Sequence, residues 1–292
     1  LKKPFVYLIR KRALGDVLWT EPLIRQLAAR SKKVIVYTKH PELFQHYPLP
    51  NVHFVNRLTK LEKVLAGLDQ FLTFPRFFIS LDRAYEKNPK THVLYAYQQK
   101  AGLPITHEYP RLYLSPEELA FRPSEVGQRK YVVLHLESLA ERNYRKVYGV
   151  NWEKVVSALT EKGFAVVQVG KEPLLIPGTI HAKTSVREMI GIISGATFFI
   201  GIDSGPSHMA ASLGVPSLIF FGAVNPDFRH FRDLFKGRFL QQFCEFAGCY
   251  HESNLSKPVC LLVGNEGISK CSLHTTEYVL NNIDLLIRDF PL

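Results

Sequence analysis

The stretch Gly201-Ile202-Asp203-Ser204-Gly205-Pro206-Ser207-His208-Met209-Ala210-Ala211-Ser212-Leu213-Gly214-Val215-Pro216 decides the fold class of this chain. An apolar run at 197–202 precedes its polar centre, and another at 217–221 follows. The segment therefore reads as strand, tight polar turn, short helix, Gly-Val-Pro stop and strand. Such a turn leaves backbone N–H groups unpaired at a helix N-terminus, where they can hold a phosphate or diphosphate. Asp203, Ser204 and His208 add an acceptor, a hydroxyl and a titratable donor beside Gly205. Taken singly, Asp203 or Ser204 is equally a helix cap and His208 a surface histidine.

The same alternation extends outward in both directions. Upstream, 131–136 and 165–169 read as buried strands. Asn151 caps a helix whose Trp152, Val155, Val156 and Leu159 share one face, and Gly163 stops it. Ser185-Val186-Arg187-Glu188 is a capping box opening a helix with Val186, Met189, Ile190 and Ile193 on one side. Towards the N-terminus the strands are 5–9, 34–37, 52–55 and 77–81, with helices at 17–30 and 92–103. Beyond 221 the regular pattern lapses until a closing helix at 275–288. Repeated strand–helix alternation with apolar strands predicts parallel sheets covered by helices. The expectation is an α/β chain of two Rossmann-like domains facing a cleft, residues 1–120 and 130–292. The Pro-, Glu-, Ser- and Gly-rich stretch 114–129 is read as the linker, and ligands are expected at the carboxyl ends of the strands.

Composition narrows the class further. The 292 residues are 46% hydrophobic and 12% aromatic, enough for packed cores and contrary to disorder. No apolar run reaches the roughly 20 residues that a bilayer-spanning helix needs. Residues 1–10 do not read as a signal peptide, because the apolar run is short and no small-residue cleavage site follows. A cytoplasmic location is expected, with the inner face of the membrane as one place within it. Lys and Arg outnumber Asp and Glu by 37 to 26, a net charge of +11 that favours anionic partners. No nucleic-acid-binding module occurs, so nucleic acid is not expected among them. Cys244, Cys249, Cys260 and Cys271 all lie near the C-terminus. In a cytoplasmic chain such clustering suggests thiolate metal ligation more than disulfides, although paired C-x-x-C knuckles are absent. Zinc is the default for four thiolates, with small buried core residues as the alternative.

A second segment carries chemistry at the N-terminus. Ile9-Arg10-Lys11-Arg12-Ala13-Leu14-Gly15-Asp16-Val17-Leu18-Trp19-Thr20-Glu21-Pro22 is a strand–loop–helix in which Asp16 stands where the helix opens. By itself Asp16 is an N-cap. A third segment, the basic loop around Arg145 and Lys146 before Trp152, is by itself a solvated surface.

Together these strings resemble one family. Residues 203–216 resemble the D-S/T-G-x-x-H-x-A-x-x-x-G-x-P signature of the glycosyltransferase family that contains the lipopolysaccharide heptosyltransferases, glycosyltransferase family 9. Residues 9–22 are similar to that family's I-R-x-x-x-x-G-D-V-x-x-T-x-P opening. The basic loop is similar to its K-x-W-P-x-x-x-W pattern, with Trp152 in the last place and Arg145 at the lysine. Val147 and Tyr148 replace the Trp-Pro pair. The resemblance covers 8–27 and 195–222 strongly and 131–172 weakly, and it is absent around 225–270.

The resemblance implies a GT-B fold and an inverting transfer of a sugar, plausibly heptose, from a nucleoside diphosphate donor such as ADP-heptose. Asp16 would be the base that activates the acceptor hydroxyl. Ser138, Arg145, Lys146, Glu172, Asp203, Ser204, Gly205 and His208 would hold the donor, and Arg10 and Arg12 would face the acceptor. The implied acceptor is a lipopolysaccharide core or other anionic surface glycan, with a protein acceptor as a variant and peripheral contact with a membrane as a corollary. No D-x-D motif occurs to hold a divalent ion, so turnover is expected to need no cofactor. Some related protein-modifying enzymes carry a cysteine-held iron, which makes iron the second candidate beside zinc for the four cysteines. Two competing readings are a nucleotide-sugar epimerase, which the Gly15-Asp16 motif does not predict, and a non-catalytic nucleotide- or polyanion-binding protein.

Overall fold

The structure, a computed structural model, describes residues 2–69, 77–137, 145–172, 174–251, 260–264 and 267–291. The chain divides into two compact units, Leu1–Tyr113 and Leu114–Leu292. The two parallel α/β sheets expected from the sequence are present, one in each unit.

In the first unit β1 (Val6–Ile9), β2 (Val34–Tyr37), β3 (Val52–Val55) and β4 (Phe78–Ser80) pair in the order β3-β2-β1-β4. All three pairings are parallel. The helices are α1 (Leu14–Leu18), α2 (Glu21–Arg30), α3 (Lys60–Asp69) and α4 (Val93–Ala101). The single helix expected at 17–30 is two, broken at Trp19 and Thr20. Pro22 has no N–H and cannot sit inside a helix, but it is tolerated in the first turn of α2. Leu23, Ile24, Leu27 and Ala28 form the buried stripe of that helix. The fully buried carboxylate of Glu21 accepts hydrogen bonds from Arg25 Nε (2.8 Å), Tyr47 Oη (3.1 Å) and the Arg111 N–H (3.0 Å), which offsets its desolvation.

In the second unit six strands pair in parallel. They are β5 (Tyr131–His135), β6 (Ala165–Val169), β7 (Thr179–Ala182), β8 (Phe198–Ile202), β9 (Ser217–Phe220) and β10 (Gly237–Leu240). Their order is β10-β9-β8-β5-β6-β7. The helices are α5 (Pro116–Ala120), α6 (Trp152–Glu161), α7 (Val186–Ser194), α8 (Gly205–Ser212) and α9 (Thr276–Asp289). Every residue of β5, β6, β8 and β9 is buried, as strands covered on both faces require. Val132, Leu134, Ile200, Leu218 and Phe220 meet Val155, Val156 and Leu159 of α6 and Val279 and Ile283 of α9 in one core.

Two differences from the sequence reading concern the second unit. Residues 114–129, read as a linker, belong to it. Ser115 caps α5, and Glu118 of α5 pairs with Arg187 of α7. The pattern does not lapse wholly after 221 either, because β10 extends the sheet from Gly237 opposite Ser217 to Leu240 opposite Phe220.

Strand order fixes where ligands belong. Counted along its own unit, each sheet follows the nucleotide-binding order in which connections reverse direction beside the first strand. The reversal lies between β1 and β4 in the first unit and between β5 and β8 in the second. At such a point the loops after two neighbouring strands diverge and leave a crevice at the carboxyl ends.

Candidate functional site

Asp16 and Asp203 both follow strands that flank a reversal point. In the first unit the chain leaves β1 at Arg10 and turns through Ala13, whose φ of 65° is unusual for a residue with a side chain. Ala13 occupies the cap position of α1 and supplies no side-chain hydrogen bond, so Asp16 lies within the first turn and is not the cap. Its carboxylate is instead held by the Arg10 guanidinium and accepts from Tyr85 Oη at 3.4 Å.

Arg10, expected to face an acceptor, is only 7% exposed and is engaged within its own unit. It donates to the Leu81 carbonyl at 3.3 Å and lies 3.9 Å from Asp82 and 3.7 Å from Glu86. Its guanidinium also stands 5.5 Å from the Tyr85 ring centroid and 5.7 Å from that of Tyr97. Burial alone would pull the Arg10 pKa down, but the neighbouring Asp16 carboxylate reverses this and the net shift is upward. Arg10 therefore stays cationic and orients Asp16. Arg12 is exposed.

In the second unit Asp203 follows β8 and the helix α8 begins at Gly205. The Ser204 hydroxyl donates to the Ile202 carbonyl at 3.1 Å. Ser207 Oγ holds the Ser204 N–H at 3.1 Å. Ser204 and Ser207 form a capping box there, and the helix N-terminus beyond it is a place where an anionic ligand can bind. His208 Nε2 lies 3.6 Å from Asp203 Oδ1, and its ring stacks on that of His230 with centroids 4.7 Å apart and planes 19° from parallel. Asp203, His208 and His230 bring three potential ligand atoms within 4.8 Å of one another.

Arg145 lines one narrow cavity with Ile202, Asp203, Phe220, Gly222 and Val224, so the basic loop reaches the ends of β8 and β9. Lys146 next to it is exposed. This loop is tied to the C-terminal segment. The Tyr148 N–H donates to the Ser272 carbonyl and the His274 N–H to the Tyr148 carbonyl, both at 2.9 Å. Gly149, at φ +77°, passes so close that a Cβ there would stand 2.4 Å from the His274 carbonyl oxygen.

Ser138 lies outside the described residues. Glu172 is exposed, and its backbone N–H donates to the Glu137 carboxylate at 3.3 Å. Glu137, which sequence reasoning missed, takes the inner position. Its carboxylate also accepts from the Lys171 N–H at 2.7 Å and comes within 2.3 Å of where a Gly170 side chain would begin. Beside it His135 is buried, which lowers its pKa, and its Nδ1 meets the Val169 carbonyl at 2.8 Å. Tyr85, Glu137 and His230 lie far in sequence from the residues they serve, and no local motif marks them.

Cys244, Cys249, Cys260 and Cys271 are free and buried. Burial raises the Cys249 thiol, and Cys260 and Cys244 add to the shift. Burial pushes Cys271 up to about 11, with contributions from the other three. The four thiols therefore feel one another's charge, although no three of them gather as tightly as Asp203, His208 and His230.

The model of glycosyltransferase family 9 (heptosyltransferase) matches residues 54–231, more than half of the chain. Lipopolysaccharide heptosyltransferase 1 of Pseudomonas aeruginosa is 26% identical over 150 residues, covering 48% of this chain and 40% of that protein. Autotransporter heptosyltransferase Aah of Escherichia coli is 25% identical over 137 residues, covering 43% and 33% respectively. These matches span less than half the length of the curated relatives. Among solved structures, the iron-containing heptosyltransferase TibC of enterotoxigenic E. coli, in complex with ADP-D-beta-D-heptose, superposes with a TM-score of 0.71 at 18% identity. That alignment covers 99% of this chain and 79% of the other.

Proposed function

The chain belongs to glycosyltransferase family 9, and from that premise we propose that it transfers heptose from ADP-heptose to a hydroxyl of an anionic surface glycan, with inversion at the sugar. The observation that carries this reading is the placement of Asp16 and of the Asp203–His208 turn at the strand reversal points of their two sheets. In this reading the first unit receives the acceptor and the second binds the donor.

The chemistry follows from the groups present. A sugar hydroxyl is a weak nucleophile until a carboxylate takes its proton as the new C–O bond forms, an effect of about 10²–10⁴ in rate. Asp16 is that carboxylate, oriented by Arg10 and Tyr85. The leaving diphosphate gathers charge as the old bond breaks, and preorganised donors stabilise it. The first-turn N–H groups of α8, His208 and Arg145 supply them, with Lys146 beside the loop and the acidic groups at Glu137 and Glu172 towards the nucleoside. Ser138 and Gly205 complete the donor set, and Arg12 meets anionic groups of the acceptor. The diphosphate charge is met by protein cations, so the transfer step uses no divalent ion. Cys244, Cys249, Cys260 and Cys271 hold a structural zinc or iron that orders the C-terminal segment. The likeness to an autotransporter heptosyltransferase favours a protein acceptor as the second reading.

Asp16→Asn tests the assignment. It should lower transfer by at least about 100-fold while ADP affinity stays within about twofold, since the residue serves the acceptor. Transfer within a few-fold of wild type would remove Asp16 as the base. ADP raising the melting temperature while UDP, GDP and CDP do not would support the donor assignment.

A further inference from the structure

Three buried side chains of metal-ligating type converge beside α8. Asp203 follows β8, His208 stands near the start of α8, and His230 follows the short turn Pro226–Phe228 beyond β9. They are 7%, 7% and 1% exposed. Each offers one ligand atom, and the three atoms lie within 4.8 Å of one another. No other three His, Cys, Asp or Glu side chains among the described residues gather as closely.

The spacing within the group fits a shared cation. His208 Nε2 lies 3.6 Å from Asp203 Oδ1, beyond the usual hydrogen-bond range of about 2.7–3.2 Å. Two ligands of a tetrahedral ion with bonds of about 2.0–2.1 Å stand about 3.3 Å apart, close to the distance seen. The ligands are also held before any ion arrives. The Asp203 N–H donates to the Phe220 carbonyl at 3.1 Å, the His208 N–H to the Ser204 carbonyl at 3.3 Å and the His230 N–H to the Pro226 carbonyl at 2.8 Å. The two imidazoles stack within 19° of parallel, so their edges run side by side. Ligands fixed in this way lose little freedom on binding.

The donor set selects the ion. Magnesium and calcium take shells of oxygen, and thiolates draw the softest ions. Imidazole with a carboxylate suits zinc, cobalt, nickel or ferrous iron. Three protein ligands leave a further position for water.

We propose that Asp203, His208 and His230 form a binding site for one divalent transition-metal ion of the zinc class. The proposal goes beyond the transferase reading, does not depend on it, and gives the ion no part in the transfer step.

Equilibrium dialysis of the full chain against cobalt(II) tests it. Cobalt reports its ligands, because thiolates give an intense near-ultraviolet charge-transfer band that nitrogen and oxygen ligands do not. The wild type should retain about one equivalent more than His230→Phe, which keeps a ring against His208 and removes the ligand atom. Ions held by the four cysteines or by surface histidines are common to both proteins and cancel. The equivalent that differs should add no thiolate band. Asp203→Asn, similar in shape and a weaker ligand, should raise the Kd of that equivalent at least about tenfold. Circular dichroism in metal-free buffer checks that each variant folds. Equal retention by the wild type and folded His230→Phe would overturn the proposal, as would a thiolate band on the extra equivalent or a wild-type Kd weaker than about 1 mM. Should His230→Phe fail to fold, Asp203→Asn carries the comparison, and an unchanged affinity there would overturn the proposal as well. Neither nucleotide nor sugar is present, so a failed transferase assignment would leave this result standing.

Discussion

His208 is held in place by a residue that nothing in its own sequence neighbourhood announces. The His230 ring stacks on it at 4.7 Å and is in turn enclosed by Phe221, Phe235 and Phe239 at 6.0, 5.3 and 5.4 Å between centroids. A ring fixed on its far side fixes the plane of its partner, and such aromatic pairs contribute about 0.5–1.5 kcal/mol. His230→Ala should therefore weaken ADP binding by about tenfold and adenosine binding much less, if His208 meets the diphosphate as proposed. His230→Phe should restore most of the loss, since it keeps the stack. Equal losses for ADP and adenosine in a calorimetric titration would separate His230 from the diphosphate. Asp16, Asp203 and His208 were legible because each sits in a short motif between a strand and a helix. His230, Tyr85 and Glu137 were not, because folding brings them to the site from other elements. Arg10 was legible as a cation but its neighbours Asp82 and Glu86 were not, since they come from the end of another strand.

Helix α5 docks by charge more than by apolar surface. None of its residues is buried, and it carries no periodic apolar face. Glu118 explains its position. One carboxylate accepts from the Ser115 N–H at 2.9 Å in a capping box and receives Arg187 of α7, with Nε at 2.7 Å. Arg187 is 8% exposed, so removing Glu118 weakens the hold on a buried cation. Breaking such a pair costs about 3–5 kcal/mol, much more than the net contribution of the pair itself. Glu118→Ala should lower the unfolding free energy of the second unit by about 3 kcal/mol in a urea titration, and Glu118→Ala/Arg187→Met should recover part of it. A loss below about 1 kcal/mol would mean that solvent reaches Arg187 easily. This dependence on partners distant in sequence explains why 114–129 reads as a linker from composition alone. The interior strands were readable within a residue or so, because burial on both faces demands unbroken apolar runs. The edge strands β7 and β10 escaped notice for the opposite reason, as each is partly exposed and carries polar residues such as His181 and Arg238.

Across the whole molecule, buried histidines make acid a stress on the fold. Burial drives the His274 pKa down to about 4, and burial also lowers His135. A histidine whose folded pKa is depressed keeps its full stability above the unfolded value near 6.5. As the pH falls, the unfolded chain takes up a proton that the folded chain refuses, and the loss is complete only below the folded pKa. His274 alone should cost about 2 kcal/mol between pH 7 and pH 5. Denaturant titrations at the two pH values should show His274→Gln losing less stability than the wild type over that interval. An identical loss in both would place the acid sensitivity elsewhere. The strand order carries a consequence for the time course of folding. Val132 of β5 faces Val166 on one side and Phe198 on the other, and both partners lie far along the chain. Sheets whose contacts are remote in sequence form slowly, because chain closure precedes its reward. Pairing of β5 with β6 across α6 closes the shorter loop and can nucleate first, leaving β8 to arrive later with the Asp203–His208 turn behind it. Substitutions in that turn then fall mainly on the unfolding rate, so its chemistry can be varied without slowing the search for the fold.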